Sequence, residues 1–302
     1  MSQSQNVLVT GSSSGFGLLI ARTLLTGGHT VFATMRAPEG RNAEAAADLS
    51  AFADETSGTV HILDLDVTSD ASVDQAVQRA ISLEGHIDVV VNNAGFGGGG
   101  LTETFTVPQF ETMFDVNVFG VQRVNRAVLP AMRARGKGLL VHISSTLGRV
   151  VLPFSGAYTA SKFAVEGLAE SLRYELAPTG VDVAIVQPGG FGTNFFDSMV
   201  PGADDARAES YGPLAEMPGQ MWSGVGEMLQ GDDAPDPQEV ADAVATLIAT
   251  PAGERPLRVV VDPMTGGDGA KAINETAAHV QQQTLEGFGM EGLLSVQPAE
   301  AS

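Results

Sequence analysis

Cysteine is absent from the 302 residues, and lysine occurs three times, as Lys137, Lys162 and Lys271. The first absence excludes a disulfide framework and a thiolate zinc site. The five histidines (His29, His61, His86, His142 and His279) share no metal-ligand spacing, so each reads as structural and no metal is expected. No run of 18 apolar residues occurs, since the greasiest stretch, 139–154, is broken by His142, Ser144, Ser145 and Arg149. A membrane span is therefore not expected. The first residues, MSQSQ, lack the cationic-then-apolar pattern of a signal peptide. These two absences point to the cytoplasm, and they make the Asn-X-Thr triplet at Asn274 a chance match. Basic charge is scarce as well: 16 Lys and Arg stand against 36 Asp and Glu, a formal net charge of -20. Such a field repels nucleic acid and acidic membrane surfaces, so neither is expected as a partner. Acidic, lysine-poor surfaces also occur in salt-adapted proteins, but the simpler reading is an ordinary soluble acidic protein.

What the chain does have is a regular alternation. Hydrophobic residues make up 43% of it and charged residues 17%, enough for a sizeable core. Apolar runs at 7–10, 30–35, 60–66, 87–93, 138–144, 181–188 and 257–262 read as strands. Helical stretches at 16–26, 42–55, 72–83, 108–134, 158–176 and 239–248 separate them. The runs are continuously apolar rather than alternating, as in strands buried on both faces. The expected fold is α/β: a Rossmann-type doubly wound, seven-stranded, mostly parallel sheet with helices on both faces. No linker interrupts the pattern, so residues 1–262 read as one domain. Residues 190–236 break the rhythm. They are rich in Gly, Pro, Met and Phe, carry the only Trp, and read as a lid or binding loop. Residues 263–302 read as an extension: three glycines, a polar helical piece, and an Ala/Glu/Ser end expected to be mobile.

The first strand runs into TGSSSGFG, residues 10–17. Gly11, Gly15 and Gly17 allow a tight turn and a close approach of backbone to a pyrophosphate, which then sits on the N-terminus of the next helix. The spacing is Gly-x3-Gly-x-Gly, not the Gly-x-Gly-x2-Gly of the general dinucleotide fingerprint. With this spacing the segment resembles the coenzyme loop of the classical short-chain dehydrogenase/reductase family. Other family signatures have likenesses here: NNAG at 92–95, Asn117 in DVNVFG, Ser145 thirteen residues before Tyr158, Tyr158-x3-Lys162, and PGGFGT at 188–193. The resemblance covers residues 6–262. It implies cofactor contacts at Gly11, Ser13, Ser14, Gly15, Phe16, Gly17, Arg36, Asp66, Val67, Asn93, Ala94, Gly95, Tyr158, Lys162, Pro188, Gly189, Phe191 and Thr193. Asn92 would line the same cleft, and Ser12 to Ser14 could donate hydrogen bonds.

The end of the second strand reaches the adenosine ribose in such folds, where an acidic residue binds a free 2′-hydroxyl. Here Met35 holds what looks like that position and Arg36 follows. A guanidinium can bind a phosphate in bidentate fashion, so NADP(H) is expected over NAD(H). Asp66, in LDVT, resembles the family's adenine contact.

Interconverting a ketone and an alcohol requires a hydride, which a nicotinamide carries, and a proton, which the protein must handle. A tyrosine of ordinary pKa near 10 is a poor base at neutral pH, and lowering it by about three units amounts to roughly 4 kcal/mol. Lys162, one helical turn from Tyr158, together with a positive nicotinamide ring, is expected to supply that lowering. The resemblance implies Tyr158 as general acid/base, Lys162 also as the ribose contact, Ser145 as the holder of the substrate oxygen, and Asn117 as the anchor of a water leading to Lys162. Thr193 would hold the carboxamide. On the substrate side stand Ser145, Phe96, Leu147 and Phe154. FGGGG at 96–100 offers one aromatic and four flexible positions. Phe191, Phe195, Phe196, Met199, Tyr211, Met217, Met221, Trp222 and Met228 in the 190–236 loop suit a mobile apolar lid, or else simply pack the loop down. Together they suggest a medium or large apolar ketone or alcohol, and NNAGFG and ATMR look like the steroid and retinol dehydrogenase branch. The expected function is an NADP(H)-dependent carbonyl reductase or alcohol dehydrogenase. The alternative is a cofactor-binding regulator or scaffold without chemistry. Family members commonly form dimers or tetramers through the two long helices, here 108–134 and 158–176.

Overall fold

A computed structural model of the chain describes residues 4–196, 198–231 and 233–297. The strands are β1 (Asn6–Thr10), β2 (Thr30–Met35), β3 (Thr59–Asp64), β4 (Val89–Asn92), β5 (Gly138–Ile143), β6 (Val181–Pro188) and β7 (Arg258–Val261). They form one sheet in the order β3-β2-β1-β4-β5-β6-β7, parallel at every pairing. Successive strand side chains point to opposite faces. Val7 and Val9 thus pack with α1 (Gly15–Thr26), α2 (Ala43–Asp54) and α9 (Gln238–Ala249), while Leu8 packs with the opposite layer. That layer contains α3 (Asp70–Glu84), α5 (Gly120–Arg135) and α6 (Gly156–Leu176). Both faces are covered, which is why the strands read as unbroken apolar runs.

The strand order reverses between β1 and β4. Ligands of doubly wound sheets bind in the crevice outside the carboxyl ends of the strands at this point. The glycine loop leaves β1 and NNAG leaves β4, so the two segments face each other across it.

Two departures from the sequence reading have physical causes. The long helix expected over 108–134 is α4 (Val107–Phe114), a π-helical turn (Asp115–Phe119) and α5 in succession. It begins one residue earlier because Thr106 and Gln109 form a capping box. Residues 190–236 are not an irregular loop. They contain α7 (Asp205–Ser210), a 3-10 turn (Gly212–Glu216) and α8 (Met217–Met228). The glycines and prolines there mark the ends of short helices, with Pro213 and Pro218 in first turns. In the extension, the polar piece is α10 (Asp268–Gly287), and the chain then returns so that Gln297 N–H donates to Ala177 O at 2.9 Å. The end of the tail read as mobile, residues 298–302, and the first three residues lie outside the described part. No described helix is long and apolar enough to cross a membrane.

Candidate active site

A cavity of about 970 Å³ opens at the carboxyl edge of the sheet. Its first wall is the glycine loop. Gly11 sits at φ 71°, a left-handed conformation that glycine adopts without steric penalty. A Cβ on Gly17 would lie 2.2 Å from Gly11 O and 2.5 Å from Asn93 Nδ2, so α1 starts pressed against the loop. Ser14, at the N-cap of α1, makes no side-chain capping bond. Ser13, Ser14, Gly15 and Phe16 line the cavity, and the first-turn N–H groups of α1 lack intrahelical partners. This is a cradle for an anion. Gly17 itself does not line the cavity, and its contribution is the close approach. Ser12 turns inward, donating to Val9 O, and is not a ligand donor.

The second wall is NNAG. The N–H groups of Asn93 and Ala94 donate to Thr10 Oγ1 at 2.9 and 3.0 Å, and Asn93 Nδ2 donates to Thr10 O and Gly11 O. Asn93 lines the cavity, but its amide braces the glycine loop. Asn92 is buried behind, with its Nδ2 donating to Asn125 Oδ1 at 2.9 Å.

At one end of the cavity stand Arg36, Asp66 and Val67, with Arg41 and Asn42, which the sequence reading missed. Arg41 lies in the turn before α2, and only the return of that turn to the crevice brings it beside Arg36. Burial pushes the Asp66 carboxyl up, but bonds from the Thr68 N–H and hydroxyl, then the charges of Arg36 and Arg41, outweigh it and hold it below its ordinary value.

At the other end stand Ser145, Tyr158 and Lys162. Tyr158 is in the first turn of α6, and Lys162 follows one turn on. Lys162 Nζ donates to Ile143 O at 2.9 Å and lies 5.6 Å from the centre of the Tyr158 ring. Ser145 follows β5. Its hydroxyl accepts from Leu147 N–H at 3.1 Å and reaches Pro188 O at 3.4 Å. Burial pushes the Tyr158 phenol well above its ordinary value, while Ser145 pulls it down. This reverses the lowering expected from sequence, because the loss of water around the buried phenol dominates. Burial also brings Lys162 down to about 8, against the pull of Glu166.

Asn117 does not line the cavity. It sits on the π-helical turn, 1% exposed, and its amide is hydrogen-bonded through both Oδ1 and Nδ2. Oδ1 accepts from Phe96 N–H, and Nδ2 donates to Phe96 O and Ser161 Oγ, each at 3.0 Å. The side chain shapes the Phe96 wall.

Ala94, Gly95, Pro188, Gly189, Phe191 and Thr193 complete the middle of the cavity. On the substrate side Phe96 and Leu147 line it as expected, but Phe154 does not. Phe154 is instead a backbone post at φ 63°, its carbonyl accepting from Gly100 N–H at 2.9 Å and Trp222 Nε1 at 3.3 Å. The glycines after Phe96 are not flexible positions either. A Cβ on Gly97 would lie 2.5 Å from Phe195 Cζ, and one on Gly99 would lie 2.5 Å from Trp222 Nε1 and 2.6 Å from Met199 Cε. Gly97 and Gly99 form a bare platform on which Phe195, Met199 and Trp222 dock. Phe195 there packs edge-on against Tyr158, with ring centres 5.3 Å apart. Met264, from the segment after β7, also lines the cavity, and no local pattern in the sequence marks it.

The sequence matches the short chain dehydrogenase family over residues 5–203. The chain belongs to this family. Among relatives of this short-chain dehydrogenase, 3-ketodihydrosphingosine reductase of Bacteroides thetaiotaomicron is 41% identical over 213 residues, 69% of this chain and 74% of the relative. A short-chain dehydrogenase from Streptomyces avermitilis superposes with a TM-score of 0.74 at 32% identity, covering 95% of this chain and 98% of that one. A metagenomic short-chain oxidoreductase in complex with NADP gives 0.67 at 27% identity, over 87% and 100% of the two chains. The chain is thus an oxidoreductase of the short-chain dehydrogenase family with a Rossmann-like, seven-stranded parallel sheet.

Proposed function

We propose that this short-chain dehydrogenase interconverts a medium or large apolar ketone and its alcohol, using NADP(H) in preference to NAD(H). The carrying observation is that one cavity joins the glycine cradle, the Arg36–Arg41 end and the Ser145–Tyr158–Lys162 end. The glycine loop fits a dinucleotide because side chains at Gly11 and Gly17 would fill the space its backbone needs, and two guanidiniums fit a 2′-phosphate. When bound, the reduced nicotinamide supplies a hydride. Ser145 holds the carbonyl oxygen, and Tyr158 donates its phenolic proton to it. The Tyr158 O–H bond breaks, an O–H bond forms on the product, and the phenolate left behind faces the Lys162 ammonium. A phenol pushed up by burial is held in the proton-donating form that reduction needs. Charged side chains lining the cavity stand at the Arg36–Arg41–Asp66 end, at Lys162 and at Asp262. The lid side, with Phe96, Phe195, Phe196, Met199 and Trp222, is apolar, which favours an uncharged substrate. The likeness to an enzyme named for reducing a ketosphingoid base agrees with this class.

The test is Tyr158→Phe, assayed by NADPH absorbance over a panel of apolar ketones. We expect turnover to fall by about 100-fold or more with NADPH binding retained. Turnover that survives the substitution overturns the mechanism.

We further read residues 1–262 as one domain with 190–236 as its lid. Phe119, Phe163 and Leu168 are exposed on the two long helices, which favours a homodimer or homotetramer through that face. Light scattering on the purified chain would report a monomer if this is wrong.

A further inference from the structure

Behind Lys162, on the side away from the cavity, lies a second group of charged residues. Glu166, one turn further along α6, is 2% exposed. Its Oε2 accepts from Arg258 Nε and its Oε1 from Gln187 Nε2, both at 2.8 Å. A carboxylate only accepts, so Gln187 must turn its NH2 toward Glu166 and its carbonyl outward. That carbonyl accepts from Asn274 Nδ2 of α10 at 2.7 Å, which leaves Asn274 Oδ1 buried without a partner. The orientation of each amide thus follows from the charge at the inner end. A Cβ on Gly148 would lie 2.7 Å from Ser144 Oγ and 2.9 Å from Glu166 Cγ, so the turn after β5 closes the cluster from the third side.

We propose that Glu166 is a positioning residue for Lys162: a buried counter-charge, aimed by Arg258, Gln187 and Asn274, that holds the ammonium in place beside Tyr158. The two side chains form no direct ion pair, and the attraction acts between two buried groups one turn apart on α6. It is needed because cations outnumber carboxylates here. Facing Glu166 are Arg258 of β7 and Arg149 of the turn after β5, and Glu170 lies one turn on along α6. Arg258 is already paired to Glu170 at 2.6 Å. Facing Lys162 are Tyr158 and Glu166 of its own helix and His142 of β5, which stays neutral because burial, then the charge of Lys162, lowers it to about 4. Three cations, Lys162, Arg149 and Arg258, therefore share two carboxylates, Glu166 and Glu170. Arginine does not discharge in proteins, so loss of one carboxylate falls on the lysine.

The inference rests on the proposed role of Lys162 but can be tested apart from it. The chain has three lysines, so full-length protein labelled with 13C at lysine Cε gives three signals, with Lys162 assigned by its loss in Lys162→Met. In Glu166→Gln the titration midpoint of Lys162, about 8 in the unaltered chain, is expected to fall by about one pH unit. Glu166→Asp, which keeps the charge, is expected to bring it at least half-way back. A midpoint in Glu166→Gln that is unchanged or higher overturns the proposal. If that variant does not fold, Asn274→Ala decides instead: it keeps every charge, and the midpoint must still fall, by less. In ketone reduction the alkaline limb of kcat should move with the midpoint while KM changes little. A midpoint that falls while the limb stays put sinks the Tyr158–Lys162 mechanism and leaves this inference standing. An active enzyme with an unmoved midpoint sinks this inference alone.

Discussion

At the coenzyme-loop end of the cavity the walls are backbone, and at the lid end they are side chains. Gly11, Gly17, Thr10 and Asn93 lock two strand ends together through main-chain atoms, the Thr10 hydroxyl and the Asn93 NH2 group. Phe195, Met199 and Trp222 instead rest on bare glycines, tied to the body by a few contacts such as Trp222 Nε1 to Phe154 O. The exposed cluster of Glu103 with Arg207 and Tyr211 adds a surface tie from α7 and the turn after it. A backbone wall cannot give, whereas a ring or thioether can rotate. The first end suits an invariant ligand part and the second a variable one.

Gly17→Ala should break the rigid end outright. Its Cβ meets a carbonyl oxygen that no rotamer change can move, and we expect a stability loss of about 3 kcal/mol with loss of NADPH binding. Thermal melting and fluorescence titration check both, and a variant with ordinary melting and binding would show that the loop yields.

Acid should distinguish the sheet from the lid next. His142 stays neutral in the folded protein until pH falls to about 4, while an unfolded histidine takes up its proton near 6.5. The unfolded state binds more protons in that window, so stability drops as pH falls from 6.5 to 4, by about 3 kcal/mol at most. Melting curves of His142→Gln should lack this component, and an identical pH slope in that variant would refute the assignment.

Arg41→Ala and Arg36→Ala sharpen the comparison within the rigid end. Each should raise KM for NADPH about tenfold, roughly 1.4 kcal/mol, and leave NADH unaffected. An equal loss with both coenzymes would mean that the guanidiniums do not read the 2′-phosphate.

The smallest effect is expected at the lid. Gly97→Ala places its Cβ against the far edge of Phe195, a ring that can swing, so stability should change by less than about 1 kcal/mol. Displacing Phe195 from Tyr158 should nevertheless alter KM for bulky ketones severalfold. A melting loss as large as that of Gly17→Ala would mean the two ends are equally rigid.

Much of this was legible in the chain. The seven strands stand within a few residues of where apolar runs placed them, because burial on both faces leaves a local signal. Glycine spacing, Ser145, and the Tyr158–Lys162 pair pointed to one site because each motif sits at a strand end or on a helix turn of known geometry. Arg41 was missed because nothing local says that its turn folds back toward Asp66. Phe154, Gly97 and Gly99 were misassigned because their roles depend on Trp222 and Phe195, about 70 to 125 residues away in the chain. That the Asn117 amide bridges Phe96 and Ser161 was not legible either, because Ser161 lies 44 residues further along the chain.

By itself the sequence determined the sheet, its parallel winding and the cradle at β1, since period, burial and glycine geometry are properties of short segments. Only the tertiary structure decided that Phe195 covers Tyr158, that Arg41 joins Arg36, and that Glu166 stands behind Lys162 under the hold of a C-terminal helix. Those are balances of charge, desolvation and packing between segments far apart in the chain, and they exist only once the sheet has brought them together.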